Sequence, residues 1–126
     1  MEYKEYGSKN NDIIILLHGG GLSWWNYIDE ISLLENEFHI VIPILDGHSG
    51  SDTNFTSIES NALEIINFIN RNYNGKVKLI GGLSLGGQIL LEILSKNPNI
   101  CECAIIESAF VMPMDFTYKM IEPIFN

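Results

Sequence analysis

Two glycine clusters follow directly on short strand-like runs, and this pairing constrains the fold more than any other feature. Ile13-Ile14-Ile15-Leu16-Leu17 leads into His18-Gly19-Gly20-Gly21, and residues 76–80 lead into Gly81-Gly82-Leu83-Ser84-Leu85-Gly86-Gly87. The first run is apolar without alternation, which predicts a strand buried on both faces, as in a parallel sheet. Residues 39–45, with Pro43 near the end, and residues 103–106 form two further strand-like runs. Helical patterns fall between them. Ser23 is placed to cap a helix with apolar positions at Trp24, Tyr27, Ile28, Ile31 and Leu34. Thr56 and Glu59 fit a capping box, and Ile58, Ala62, Ile65, Ile66, Ile69 and Tyr73 then share one helical face that ends at Asn74-Gly75. A third helix spans residues 88–96 and stops at Asn97-Pro98. The polar start, residues 2–12, has room for one short edge strand. Alternating strands and helices predict an α/β fold, a mostly parallel sheet with helices on both faces.

Length and composition narrow the function classes. The 126 residues fit one domain, 1–126, with a globular balance of 46% hydrophobic and 18% charged residues. Seven basic against 16 acidic side chains give a net charge of −9, which excludes a phosphate-binding surface and hence nucleic acid as a partner. No apolar run approaches the length of a transmembrane helix, and Met1-Glu2-Tyr3-Lys4-Glu5 does not open a signal peptide, so no membrane partner is expected. Cys101 and Cys103 are too close along one strand for an unstrained cross-link and read as reduced thiols, which fits a cytoplasmic protein. They lack a second ligand pair, so no zinc site is expected. Neither a dinucleotide-binding nor a P-loop glycine string is present.

The chemistry centres on Gly82-Leu83-Ser84-Leu85-Gly86, which matches G-x-S-x-G at a predicted strand-to-helix junction. A turn this tight holds the serine in a strained backbone conformation and pushes its hydroxyl outward, while side chains at the flanking positions would collide. The helix N-terminus offers N–H groups to a developing oxyanion. The three glycines after His18 let backbone amides approach a substrate closely, so Gly20 N–H and Leu85 N–H form the candidate oxyanion hole. His18 reads as a brace for that loop, His48 and Asp46 as loop residues and His39 as a surface or boundary residue.

These residues together resemble the N-terminal half of an α/β-hydrolase-fold protein. The resemblance rests on His18-Gly19-Gly20-Gly21 with Trp24-Trp25 beyond it, on the loop from Pro43 through Ser51, and on the elbow around Ser84. It covers essentially the whole chain but about half of the family's fold, as if truncated after about the sixth strand. It implies a serine hydrolase acting on a small acyl ester or related carbonyl substrate, with Ser84 as nucleophile and no cofactor or metal. In the family the acid and the catalytic histidine follow the serine, whereas His18, His39 and His48 all precede Ser84. Glu107 is the acid candidate within this chain, because some members place the acid after the sixth strand. The same resemblance makes residues 110–126 the start of a cap, with helix packing as the simpler alternative. If the chain is instead a non-catalytic binding module keeping a relic elbow, the apolar edge at residues 103–106 invites self-association.

Overall fold

The computed structural model describes residues 1–48, 57–108 and 117–121. Strands β1 (Glu2–Tyr6), β2 (Ile13–Leu17), β3 (His39–Ile44), β4 (Val77–Leu83), β5 (Cys101–Ser108) and β6 (Thr117–Ile121) form one sheet in the order β1-β3-β2-β4-β5-β6. The four inner strands run parallel, and β1 and β6 lie antiparallel along the two edges. Helices α1 (Ile28–Leu34), α2 (Ile58–Tyr73) and α3 (Leu85–Lys96) connect them, and a 3-10 turn, Trp24–Tyr27, precedes α1. The α/β architecture with a mostly parallel sheet is therefore as the sequence predicts.

Two apolar clusters cover the two faces of the sheet, which is why the inner strands carry so few polar positions. Under α2 and α3, Ile15, Leu17, Val41 and Ile80 pack against Ile65, Ile69, Leu90 and Ile93. Under the 3-10 turn and α1, Ile14, Leu16, Ile40 and Ile42 pack against Tyr27 and Ile31. Pro43 is tolerated in β3 because the parallel pairing with β2 extends only through Val41, so its missing N–H interrupts no bond there.

Three expectations need correction. The cap of α2 is Ser57, whose hydroxyl accepts the Ser60 N–H at 2.9 Å; Thr56 lies outside the described residues. The end of α2 is as predicted, with Asn74 left-handed at φ 57° and Gly75 following at φ 83°. Residues 103–106 are not an open edge, because β6 pairs along β5 from Ala104 to Ser108. Within the tail read as cap or helix, residues 117–121 form this strand; the rest, 110–116 and 122–126, lies outside the described residues. A Thr-Tyr-Lys-Met-Ile segment favours an extended conformation, and the unpaired backbone of β5 supplies it with a hydrogen-bonding template.

Candidate active site

The carboxyl ends of β2 and β4 are neighbours in the sheet, with Leu17 paired to Gly82. This brings the two glycine clusters of the sequence to one place, where parallel sheets form their sites. Between the end of β4 and the start of α3, Ser84 adopts φ 54° and ψ −110°, a conformation that costs a non-glycine residue on the order of 1–3 kcal/mol. Two backbone bonds hold it there. Ser84 N–H donates to Glu107 O at 2.7 Å, tying the turn to the end of β5, and Ser84 O accepts the first helical bond from Gln88 N–H at 3.0 Å. The hydroxyl does not cap α3, so it is left half-exposed at the turn.

The flanking glycines are dictated by backbone packed against backbone. A Cβ on Gly82 would stand 2.5 Å from Gly86 O, and one on Gly86 would stand 2.7 Å from His18 O and collide with Leu17 O. Gly87 is also close-packed, since a Cβ there would lie 3.1 Å from the Ile106 side chain. Gly20 lies directly beside Leu85: a Cβ on it would be 3.6 Å from the Leu85 side chain. The two candidate oxyanion donors are thus adjacent residues in space.

His18 is fully buried, and both ring nitrogens are engaged. Nδ1–H donates to Gly19 O at 2.9 Å, and Nε2 accepts Leu45 N–H at 3.1 Å. An acceptor Nε2 requires the neutral ring. Burial pushes its pKa down to about 4, with the nearby His48 ring, 5.1 Å away between centroids, pushing the same way and the Gly19 carbonyl opposing. His18 therefore links the glycine loop to the end of β3, as a brace. His48 directs Nδ1 to Asp46 O at 3.1 Å. Asp46 is buried, and its N–H donates to Asn61 Oδ1 from α2 at 3.1 Å, which secures the loop.

The other candidates separate from this cluster. His39 is not a surface residue: it is buried at the start of β3, with Nε2 2.8 Å from Glu5, in a cleft at the opposite, amino end of the strands. Glu5 pairs with Val41, two residues further along β3, and reaches His39 diagonally from β1, while the Tyr73 ring of α2 meets the imidazole edge-on. Glu107 is exposed, and its contribution at the turn is its backbone carbonyl. Among the described residues no histidine bonds to the Ser84 hydroxyl or to the Glu107 carboxylate. Trp24 packs against the cluster under α1, whereas Trp25 is largely exposed. Among the described residues no group of three or more His, Cys, Asp or Glu is placed to hold a metal ion.

Two residues escaped sequence reasoning. Asn26 Oδ1 accepts Gly19 N–H at 3.1 Å, and Tyr27 OH donates to Leu17 O at 2.9 Å. Burial above all, with the Glu107 and Glu30 charges adding to it, pushes the Tyr27 pKa further above its ordinary value, so it remains a proton donor. In the sequence Tyr27 registers as one more apolar helix position, and nothing marks Asn26.

A family model for the alpha/beta hydrolase fold matches residues 12–125. A protein of Cyberlindnera fabianii named "Probable alcohol acetyltransferase" is 29% identical over 102 residues, covering 78% of this chain and 27% of its own length. Among solved structures, an alpha/beta hydrolase enzyme from the metagenome of sediments from the lagoon of Mar Chica, Morocco, superposes with a TM-score of 0.68 at 27% identity, covering 82% of this chain and 46% of that one. A thermophilic esterase from Thermogutta terrifontis superposes with a TM-score of 0.72 at 23% identity, covering 80% and 37%, a likeness of fold. The chain thus spans about a quarter of the length of that curated relative and less than half of these solved chains.

Proposed function

The chain belongs to the alpha/beta hydrolase fold family, and we propose that it carries the nucleophile and oxyanion hole of a serine hydrolase acting on small acyl esters. The observation that carries this reading is Ser84 itself, a non-glycine residue at φ 54° between two glycines that cannot accept a Cβ, with its hydroxyl uncommitted to the helix it precedes. In this mechanism Ser84 Oγ bonds to the acyl carbon while its proton passes to a base. The carbonyl π pair moves to oxygen, where Gly20 N–H and Leu85 N–H receive the charge. Collapse of that intermediate expels the alkoxide, which takes the proton back and leaves an acyl-Ser84. Water then repeats the sequence and releases the acid. In this reading the base and its orienting acid come from outside the described residues, because the histidines among them are engaged elsewhere.

The acyl-enzyme serves equally for transfer to an alcohol, and the likeness to the Cyberlindnera fabianii protein supports that variant of the reaction. The two free thiols, Cys101 and Cys103, fit a reducing compartment, in keeping with a cytoplasmic location. One observation favours a second reading, a binding module with a relic elbow: among the described residues no histidine reaches Ser84. Turnover of a short-chain p-nitrophenyl ester by the full protein carrying these residues separates the two. The hydrolase reading expects ester cleavage that Ser84→Ala abolishes. Equal rates in the two proteins, or no cleavage by either, would favour the relic.

A further inference from the structure

We infer that Asn26 is a positioning residue for the oxyanion loop, selecting Gly20 N–H as its donor; the inference rests on the hydrolase reading of Ser84. Three hydrogen bonds converge on Gly19. Its N–H donates to Asn26 Oδ1 at 3.1 Å, and its carbonyl accepts from His18 Nδ1–H at 2.9 Å and from Leu22 N–H at 3.1 Å. Both polar groups of Gly19 are thus spent inside the protein. Its amide cannot turn toward a substrate, and its peptide planes are fixed from both sides. Gly20 N–H is the next amide along. Among the described residues it has no acceptor, and it sits beside Leu85 at the start of α3.

Asn26 can hold Gly19 in place because it is itself anchored. It lies in the 3-10 turn, where its own N–H donates to Ser23 O at 2.9 Å. The next residue, Tyr27, bonds through its hydroxyl to Leu17 O at 2.9 Å, so the turn is stapled to the last residue of β2. The chain from Leu17 to Tyr27 therefore closes on itself, and the Asn26 amide spans the loop. An oxyanion donor acts on charge that develops only in the transition state, so misplacing it lowers kcat and leaves ground-state binding alone.

The test compares Asn26→Leu, which has similar bulk and no acceptor, with Asn26→Asp, which keeps an acceptor oxygen. Ester hydrolysis by the full protein would be followed with kcat and KM resolved. Losing one oxyanion donor outright costs ~10²–10³ in turnover. A misplaced donor is expected to cost part of that, roughly 10–100-fold in kcat for Asn26→Leu, with KM within about twofold. Asn26→Asp should keep at least about tenfold more kcat than Asn26→Leu. If the side chain instead influenced the oxyanion mainly through charge, the carboxylate would be the worse variant, and that order overturns the inference. Unchanged kcat in Asn26→Leu, with the unmodified protein active and dependent on Ser84, overturns it while the hydrolase reading stands. An inactive unmodified protein overturns both. Amide hydrogen exchange in the unmodified protein gives a readout that needs no variant to fold. Gly19 is expected to be protected and Gly20 to exchange fast, and a Gly20 amide as protected as that of Gly19 contradicts the inference.

Discussion

Ser84 combines a strained backbone with a hydroxyl that makes no capping bond, and the two properties separate by substitution. Ser84→Gly removes the φ 54° penalty but adds unfolded-chain entropy, whereas Ser84→Ala keeps the penalty. The glycine variant should therefore unfold about 1 kcal/mol later than the alanine variant in urea, although neither has a nucleophile. His18 gives a second prediction, with a definite sign. An unfolded histidine titrates near 6.5, while folded His18 is held down to about 4 by burial. Between these values the unfolded chain binds a proton that the folded chain refuses. Stability is thus full above pH 6.5 and declines as the pH falls toward 4, by on the order of 3 kcal/mol in total from this group. Urea unfolding at pH 7 and pH 4.5 should show the decline, and His18→Gln should flatten it. Ser84, Gly20 and Leu85 could be singled out from sequence because glycine spacing encodes a steric demand. Asn26 could not, because its role depends on a bond to a backbone seven residues away that no pattern records.

At the level of elements, the strand-to-helix turn at Ser84 is the most tightly specified part of the chain. Gly86→Ala places a methyl against the carbonyl oxygens of Leu17 and His18 at the end of β2, so the cost falls on β2 and α3 together. Loss of at least about 3 kcal/mol is expected from such an overpacked backbone, read as a fall in the urea midpoint. The inner strands and α2 were legible because burial on one or two faces imposes a period. Element ends were less so. The Thr56–Glu59 pattern and Ser57 are offset by one residue, and the cap is decided by which hydroxyl reaches an amide, here Ser57 to Ser60 N–H. The last strand was hidden for a different reason. Thr117–Ile121 is specified by its pairing with β5, a tertiary contact, more than by its own sequence.

Across the whole molecule, sheet order converts two sequence-distant glycine clusters into one site. β2 and β4 are separated by β3, α1 and α2 along the chain, yet they pair, and their carboxyl ends bring Gly20 against Leu85. The parallel sheet was predictable from strand–helix alternation, and so was this convergence. The source of the base was not, because all three histidines lie before Ser84 and their observed partners are backbone groups and Glu5. Among the described residues β6 lies outside β5, so residues 103–106 are covered and do not form the sheet edge. An activated Ser84 would bond to an electrophilic phosphorus, so covalent capture reads its nucleophilicity without a substrate. The full protein carrying residues 1–126 would be treated with a fluorophosphonate, digested and mapped by mass spectrometry. A single phosphonyl adduct on Ser84, absent after Ser84→Ala, is the predicted result. An adduct elsewhere, or none at all on a folded protein, would contradict it.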